Sequence, residues 1–319
     1  MSAIVQVRHL RKQYDPPHGT VAVDDLSFEI EQGEVFSLLG PNGAGKTTTM
    51  SLLSCLLTPT SGEITVAGHS TRTAERQVKQ IIGVVPQEIA LYPSLSAREN
   101  LEFWGRMYGL SGQRLRQRGD AVLEIAGLSD RADAKVKTFS GGMQRRLNIA
   151  VGLLHDPQVI YLDEPTVGID PQSRRRILDT LKELNRQGLT VLYTTHYMEE
   201  AEELSHRIGI MDQGRLRAVG TLDSLKRELG LGYTVLLDVA ATPPQRAALA
   251  QELERLPHAR QVTLDTEQIA LETDNVQAML SGVLACIDRD ALHLSDLQVR
   301  EPTLETVFLQ LTGRALRDA

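Results

Sequence analysis

The sequence predicts an α/β protein, a mixed-sheet core with a helical subdomain and antiparallel strands, followed by a small α+β domain of βαββαβ order. Three observations carry this. Glu34 to Leu39 is a short, nearly continuous apolar strand that feeds a glycine-rich turn, and Lys46 to Leu57 follows with helical apolar spacing until Pro59 and Gly62 stop it. Gln158 to Leu162 and Leu189 to Thr195 are apolar runs of strand length separated by the helix-like Gln172 to Gln187, the pattern of parallel strands joined by a crossover. Gly230-Leu231-Gly232 favours neither helix nor strand, and beyond it a new alternation of strand and helix begins.

The remaining elements follow in order. Ile4 to Tyr14 and Val21 to Ile30 alternate apolar and polar residues like half-buried antiparallel strands, with Asp15-Pro16-Pro17-His18-Gly19 as the loop between them. Between Gln87 and Pro157 the spacing is mostly helical, which predicts a helical subdomain over about 88–157, and residues 207 to 219 read as a hairpin turning at Gln213-Gly214. A first domain of residues 1–229 and a second of 230–319 result. The second reads as strand (Tyr233 to Val239), helix (Pro244 to Leu256), strands (Val262 to Asp265, Ile269 to Glu272), helix (Val276 to Ile287) and strand (Leu292 to Val299). It closes with a helix over Thr303 to Leu316, whose face of Leu304, Val307, Phe308 and Leu311 packs on its own domain or on a second subunit, the former being preferred.

Composition narrows the functional classes. A chain of 319 residues, 41% hydrophobic and 24% charged, reads as globular rather than disordered or fibrous. No apolar stretch approaches the roughly 20 residues needed to span a bilayer, and the first residues carry no secretory block, so a cytoplasmic chain is expected. The two cysteines, Cys55 and Cys286, lie in apolar stretches outside any metal-ligand spacing and read as buried thiols. Of the formal charge of −7, only about −1 falls on residues 1–232, because residues 233–319 hold seven arginines, no lysine and thirteen carboxylates. Such an acidic tail disfavours nucleic-acid binding. The run Arg174-Arg175-Arg176 reads as a solvated helix face rather than a nucleic-acid patch.

The chemistry begins at Gly40-Pro41-Asn42-Gly43-Ala44-Gly45-Lys46-Thr47, which fits G-x-x-x-x-G-K-[ST] at every fixed position after a predicted strand and at the start of a predicted helix. Glycines let backbone N–H groups wrap phosphate oxygens, the helix N-terminus adds positive potential, Lys46 reaches the β and γ phosphates, and Thr47 ligates Mg²⁺, with Thr48 alongside. Farther on, the apolar strand Val159-Ile160-Tyr161-Leu162 ends in two carboxylates. Asp163 is placed to hold the Mg²⁺ shell and Glu164 to polarise an attacking water. A nucleoside triphosphate and Mg²⁺ are therefore the expected ligands, and the resemblance below implies that the nucleotide is ATP.

Ser140-Gly141-Gly142-Met143-Gln144, shortly before that acidic strand, resembles the signature of the ABC family of P-loop ATPases. Alone, Ser140 would read as a helix N-cap. The resemblance implies that Ser140, Gly141 and Gly142, at a helix start, cap the γ-phosphate of nucleotide held by an opposing subunit, a use that suits a hydroxyl and glycine N–H groups facing an anion. In the same order, Gln87 resembles the family's glutamine loop, which touches Mg²⁺ and the attacking water. Gly168-Ile169-Asp170 resembles the loop that crosses the dimer interface, His196 the switch histidine that contacts the γ-phosphate, and Tyr14 the aromatic that stacks on adenine. Met143 stands where the commonest signature has glutamine, and Phe139 precedes the serine; neither change touches the capping residues.

The resemblance covers about residues 4–225, and Glu301-Pro302-Thr303-Leu304-Glu305-Thr306-Val307-Phe308 is similar to the tail of ATPases from drug-export systems of the daunorubicin-resistance type. It implies a head-to-tail homodimer that sandwiches ATP beneath a membrane-spanning partner. That partner is expected to be separately encoded, because the acidic glycine-containing loop of fused ATPases is missing before Phe139. Two other classes fit the sequence less well: a soluble ABC ATPase of translation or DNA repair, disfavoured by a single cassette without heptads or cysteine metal sites, and a regulatory nucleotide-binding module, disfavoured by the presence of both Lys46 and Glu164.

Overall fold

The computed structural model describes residues 3–265 and 268–313. They divide into two compact units, the first reaching Thr221 and the second beginning at Leu222.

In the first unit, β1 (Ala3–Gln13) and β2 (Val21–Glu31) pair antiparallel and lead to β3 (Val35–Leu39), α1 (Lys46–Leu53), β4 (Ser61–Val66) and the short β5 (His69–Ser70). After α2 (Glu75–Ile81) and β6 (Ile82–Val85) come three helices, α3 (Ala97–Met107), α4 (Gly112–Ile125) and α5 (Gly141–Leu153). The chain then returns through β7 (Val159–Asp163), α6 (Pro171–Arg186), β8 (Thr190–Thr195), α7 (Met198–Leu204) and the hairpin β9 (Arg207–Asp212) and β10 (Arg215–Gly220). Helix starts are set by side-chain caps. Ser96 and Glu99 form a capping box on α3, Ser140 caps α5, and Asp170 caps α6 with Pro171 in its first turn.

Two sheets result, one ordered β2-β1-β4-β5 and one ordered β10-β9-β3-β8-β7-β6. In the second sheet β9, β3, β8, β7 and β6 run parallel and β10 is antiparallel at the edge. Every residue of β3, β7 and β8 is buried, as expected for parallel strands covered on both faces. Their alternate side chains feed two separate cores. Val35, Ile160, Leu162, Val191 and Tyr193 join the cluster built with α3 to α6. Phe36, Leu38, Val159, Tyr161 and Leu192 join the one built with α1 and the β1–β2–β4 sheet. The five parallel strands thus present their carboxyl ends to one rim, where ligands of such sheets bind.

Helix α1 stops four residues short of the predicted Leu57. The amides of Leu56 and Leu57 both donate to the Ser51 carbonyl (2.9 and 3.0 Å), which closes the last turn, and Cys55 takes a left-handed φ of 58°. Cys55 is only half-buried, unlike the buried thiol expected, whereas Cys286 is buried.

The second unit contains α8 (Leu222–Glu228), β11 (Tyr233–Ala240), α9 (Pro243–Leu253), β12 (Ala259–Leu264), β13 (Gln268–Thr273), α10 (Val276–Arg289), β14 (His293–Arg300) and α11 (Leu304–Thr312). From β11 to β14 the order is βαββαβ, in an antiparallel sheet ordered β12-β13-β11-β14. Val235, Leu237, Val239, Ile269 and Leu271 bury one face of it with Leu249, Met279 and Val283 of α9 and α10. Leu304, Val307 and Phe308 of α11 are buried, and α11 packs on α8. The part of the predicted terminal helix beyond residue 313 lies outside the described residues.

Candidate active site

The glycine loop between β3 and α1 is shaped by its neighbours. A side chain at Gly40 would meet the Met211 carbonyl oxygen at 2.3 Å, and one at Gly45, where φ is +102°, would meet the Ala22 carbonyl oxygen at 2.4 Å. Lys46, at the first position of α1, is 4% exposed. Its ammonium donates to the carbonyls of Gly40 (2.6 Å) and Pro41 (3.1 Å) and lies 3.0 Å from Glu164 Oε1. A cation is therefore held where the loop's N–H groups and the helix terminus already favour an anion.

The two carboxylates at the end of β7 are both buried. Asp163 stands opposite Thr194 in the parallel register, and its Oδ1 accepts the Thr194 hydroxyl at 2.6 Å. The Glu164 amide donates to the Thr194 carbonyl (3.2 Å) and hydroxyl (3.0 Å), and Glu164 has a φ of 44°, a left-handed conformation uncommon for glutamate. That bend turns Glu164 toward Lys46 and His196. His196 Nδ1 lies 3.3 Å from Glu164 Oε1, out of line for a hydrogen bond.

Behind this pair lies an arrangement that the sequence reading missed. Glu200 of α7, 3% exposed, accepts three hydroxyls on one carboxylate oxygen: Tyr193 (2.8 Å), Thr166 (2.9 Å) and Thr195 (3.0 Å). Its other oxygen lies 3.4 Å from Arg174 Nε, and the Arg174 guanidinium sits 4.6 Å from the centre of the Tyr197 ring, which contacts His196. Glu200 thus gathers the segment after Glu164, the strand end before His196 and the first turn of α6.

A cleft of about 650 Å³ opens over these groups. Its walls include Asn42, Gly43, Gly45, Lys46, Thr47, Thr48, Gln87, Glu164 and His196. Residues from distant parts of the chain complete it: Thr20 to Ala22 at the start of β2 and Gln213-Gly214 at the β9–β10 turn. That turn, legible as a turn, is bonded to the glycine loop through Gly214 N–H to the Ala44 carbonyl (2.9 Å) and to β2 through Asp24 N–H to the Gly214 carbonyl (2.8 Å). Gly40, Pro41, Ala44, Asp163 and Tyr14 are not among the residues that line the cleft. Tyr14 is 39% exposed, and its hydroxyl is 3.5 Å from Thr48 Oγ1.

Ser140, Gly141, Gly142 and Asp170 do not line this cleft. Ser140 Oγ accepts the Met143 amide at 3.2 Å as the cap of α5. Gly142 packs so closely on α6 that a side chain there would meet Ser173 Oγ at 2.0 Å, whereas one at Gly141 would meet nothing within 4 Å. Asp170 accepts the Ser173 amide at 2.9 Å, and its hydrogen bonds with Ser173 hold its carboxyl below the usual range.

A parallel sheet whose central strand runs through a G-x-x-x-x-G-K-T loop into a helix, with two buried carboxylates on the adjoining rim, defines a P-loop ATPase. The chain belongs to the ABC transporter family and is an ATP-binding, ATP-hydrolysing subunit of that family, its residues 23–167 matching the family description "ABC transporter". It is 46% identical over 317 residues to the linearmycin resistance ATP-binding protein LnrL of Bacillus subtilis (strain 168), covering 99% of this chain and 100% of that one. It is 41% identical to the daunorubicin resistance ATP-binding protein DrrA3 of Streptomyces coeruleorubidus, over 92% of this chain and 91% of that one. Among solved structures, a dimeric ATP-binding cassette in a post-hydrolysis state with ADP and Pi matches with a TM-score of 0.62 and 31% identity, over 68% of this chain and 98% of its own.

Proposed function

We propose that two copies of this chain bind two ATP molecules head to tail, each between the glycine loop of one copy and the Ser140-Gly141-Gly142 helix start of the other, and drive export through a separate membrane-spanning subunit. The observation that carries this is the division of the motifs. Lys46, Gln87, Glu164 and His196 meet in one cleft, while the signature residues, chemically suited to a phosphate, lie outside it. A two-fold pairing completes both sites at once. Dimeric relatives support the arrangement.

Within each site, Lys46 and the loop N–H groups would hold the β and γ phosphates, Tyr14 and Thr48 would flank the base end, and Glu164 would take the proton of the attacking water. Its left-handed backbone holds it against His196, and His196 would contact the γ-phosphate. The oxygen groups here would suit Mg²⁺: the Thr47 hydroxyl and the Gln87 amide oxygen, whose residues line the cleft, and the Asp163 carboxylate, buried with the neutral Thr194 hydroxyl as its hydrogen-bond partner, are hard ligands of the kind the ion takes. The ion would supply charge neutralisation at the transferred phosphoryl group. Asp170 would lie at the junction of the copies.

An apolar cleft of about 320 Å³ beside the glutamine loop, walled by Leu56, Pro86, Ala90, Trp104 and Tyr108, is the surface we assign to the membrane subunit. No helix among the described residues is long and apolar enough to cross a membrane. The chain would sit peripherally on the cytoplasmic face of the membrane through that partner. The names of LnrL and DrrA3 favour a hydrophobic drug as cargo. Two experiments test the proposal. Size exclusion of Glu164→Gln with Mg-ATP should yield a dimer, and a chain that stays monomeric at millimolar ATP refutes the sandwich. Affinity purification from membranes should recover a multi-spanning protein, and purification without one refutes the partnership.

A further inference from the structure

Arg145 lies on α5, five residues beyond Ser140, and is 5% exposed. A buried guanidinium is ordinarily paired with a carboxylate. This one instead donates Nη1 to the Pro86 carbonyl at 2.9 Å and Nη2 to the Gln87 carbonyl at 2.6 Å, while its Nε is buried without a hydrogen-bond partner. Burial pulls its pKa down, with Tyr193 and Asp163 opposing from longer range. Asn148, on the same face of α5, accepts the Ala90 amide at 3.3 Å, and Trp104 of α3 donates to the Ala90 carbonyl at 3.1 Å. The loop carrying Gln87 is therefore held at both ends by the helices, and its first two carbonyls are held by one rigid fork. An apolar side chain would fill the same space without burying a charge.

We infer that Arg145 is a positioning residue that locks the Gln87 loop to the signature helix, so that Ser140 on the partner's nucleotide and Gln87 on the chain's own nucleotide move as one body. The inference rests on the ATP sandwich proposed above. Through this link, occupancy of one site orders Gln87 in the other, and the coupling acts equally in both directions.

The test uses the full chain, with Glu164→Gln as parent, and compares Arg145→Met and Arg145→Lys. Hydrogen exchange of a peptide over residues 85–92 is read without nucleotide and with Mg-ATP, beside melting temperature. Without nucleotide, Arg145→Met should exchange this loop about tenfold faster while the core strands keep their protection. With Mg-ATP the parent's loop should gain protection and the Arg145→Met loop should not, although the dimer still forms. Arg145→Lys, which keeps the charge without the fork, should recover part of the protection. In chains that retain Glu164, Arg145→Met should lower kcat about tenfold with the KM for ATP nearly unchanged. Loop exchange equal to the parent's in Arg145→Met overturns the inference, as does loss of protection spread over the whole chain in both variants. A parent that fails to dimerise refutes the sandwich instead, and the nucleotide-free exchange still decides whether Arg145 holds the loop.

Discussion

The ammonium of Lys46 and the carboxylate of Glu164 form a buried ion pair, 3.0 Å apart with side chains 4% and 7% exposed, which joins the glycine loop to the end of β7. Each member therefore affects the other's availability, and two predictions follow from that coupling.

Glu164→Gln should abolish ATP hydrolysis by at least about 100-fold, because the amide cannot accept the water's proton. It should keep or raise ATP affinity, since a neutral side chain no longer competes with phosphate for Lys46. Steady-state ATPase assays and nucleotide titration check both halves, and hydrolysis near the wild-type rate would contradict the assignment of Glu164.

Lys46→Ala should weaken ATP binding and also lower folding stability by up to about 3 kcal/mol, because Glu164 would be left buried without its cation. Adding Glu164→Gln should restore the stability and leave binding weak. Denaturant unfolding of the single and double variants separates the two effects.

Gly141→Ala and Gly142→Ala should behave differently despite being neighbours. At Gly142 the added carbon meets Ser173 at 2.0 Å, so overpacking against α6 should cost about 1–3 kcal/mol. At Gly141 there is room, so the fold should be unaffected while ATP-driven dimerisation and turnover fall. Thermal melts combined with size exclusion in ATP distinguish the outcomes.

Tyr193→Phe removes one of the three hydroxyls on Glu200 without changing side-chain shape and should cost about 1 kcal/mol. Glu200→Ala leaves buried hydroxyls and Arg174 without their carboxylate and should cost about 3 kcal/mol, with a fall in kcat as the His196 segment loosens. Equal stability of Glu200→Ala and wild type in urea would show that the network holds nothing.

His155 supplies a pH dependence. Burial lowers its pKa from 6.5, opposed by the hydrogen bond between its Nε2 and the Ile82 carbonyl (2.9 Å). Just below pH 6.5 the unfolded chain binds more protons than the folded one, so stability should rise with pH there. The contribution is complete above 6.5 and is lost as pH falls through the lowered folded value. His155→Gln, which keeps a donor for Ile82, should flatten this part of the profile measured by urea unfolding between about pH 5 and 7.

Much of the fold was legible because its signals are local. The apolar runs that became β3, β7 and β8 and the positive-φ turn at Gln213-Gly214 (φ 50° and 77°) each depend on a few adjacent residues. Helix α1 was overextended because Leu56 and Leu57 continue the apolar period while their amides turn back to Ser51. In the site, Thr194 and Glu200 went unnoticed, since a threonine in a buried strand and a glutamate in the run Glu199-Glu200 carry no mark of what they face. They are identifiable only by the hydroxyls and carboxylates of other segments.

The sequence by itself determined the chemistry: a glycine loop ending in Lys46-Thr47, a strand ending in Asp163-Glu164, and a serine-glycine helix start at Ser140, each needing particular residues at fixed spacing. Only the tertiary structure decided which of these share a cleft. The order β3-β8-β7-β6 sets Thr194 beside Asp163, 31 residues away in the chain, and brings Glu164 to Lys46 and His196. The β9–β10 turn closes on the glycine loop, and Arg145 reaches carbonyls 58 and 59 residues distant. The same packing leaves Ser140 outside the cleft. Spacing along a chain specifies what a segment can bind, whereas sheet register and close packing between remote segments specify what it binds together with.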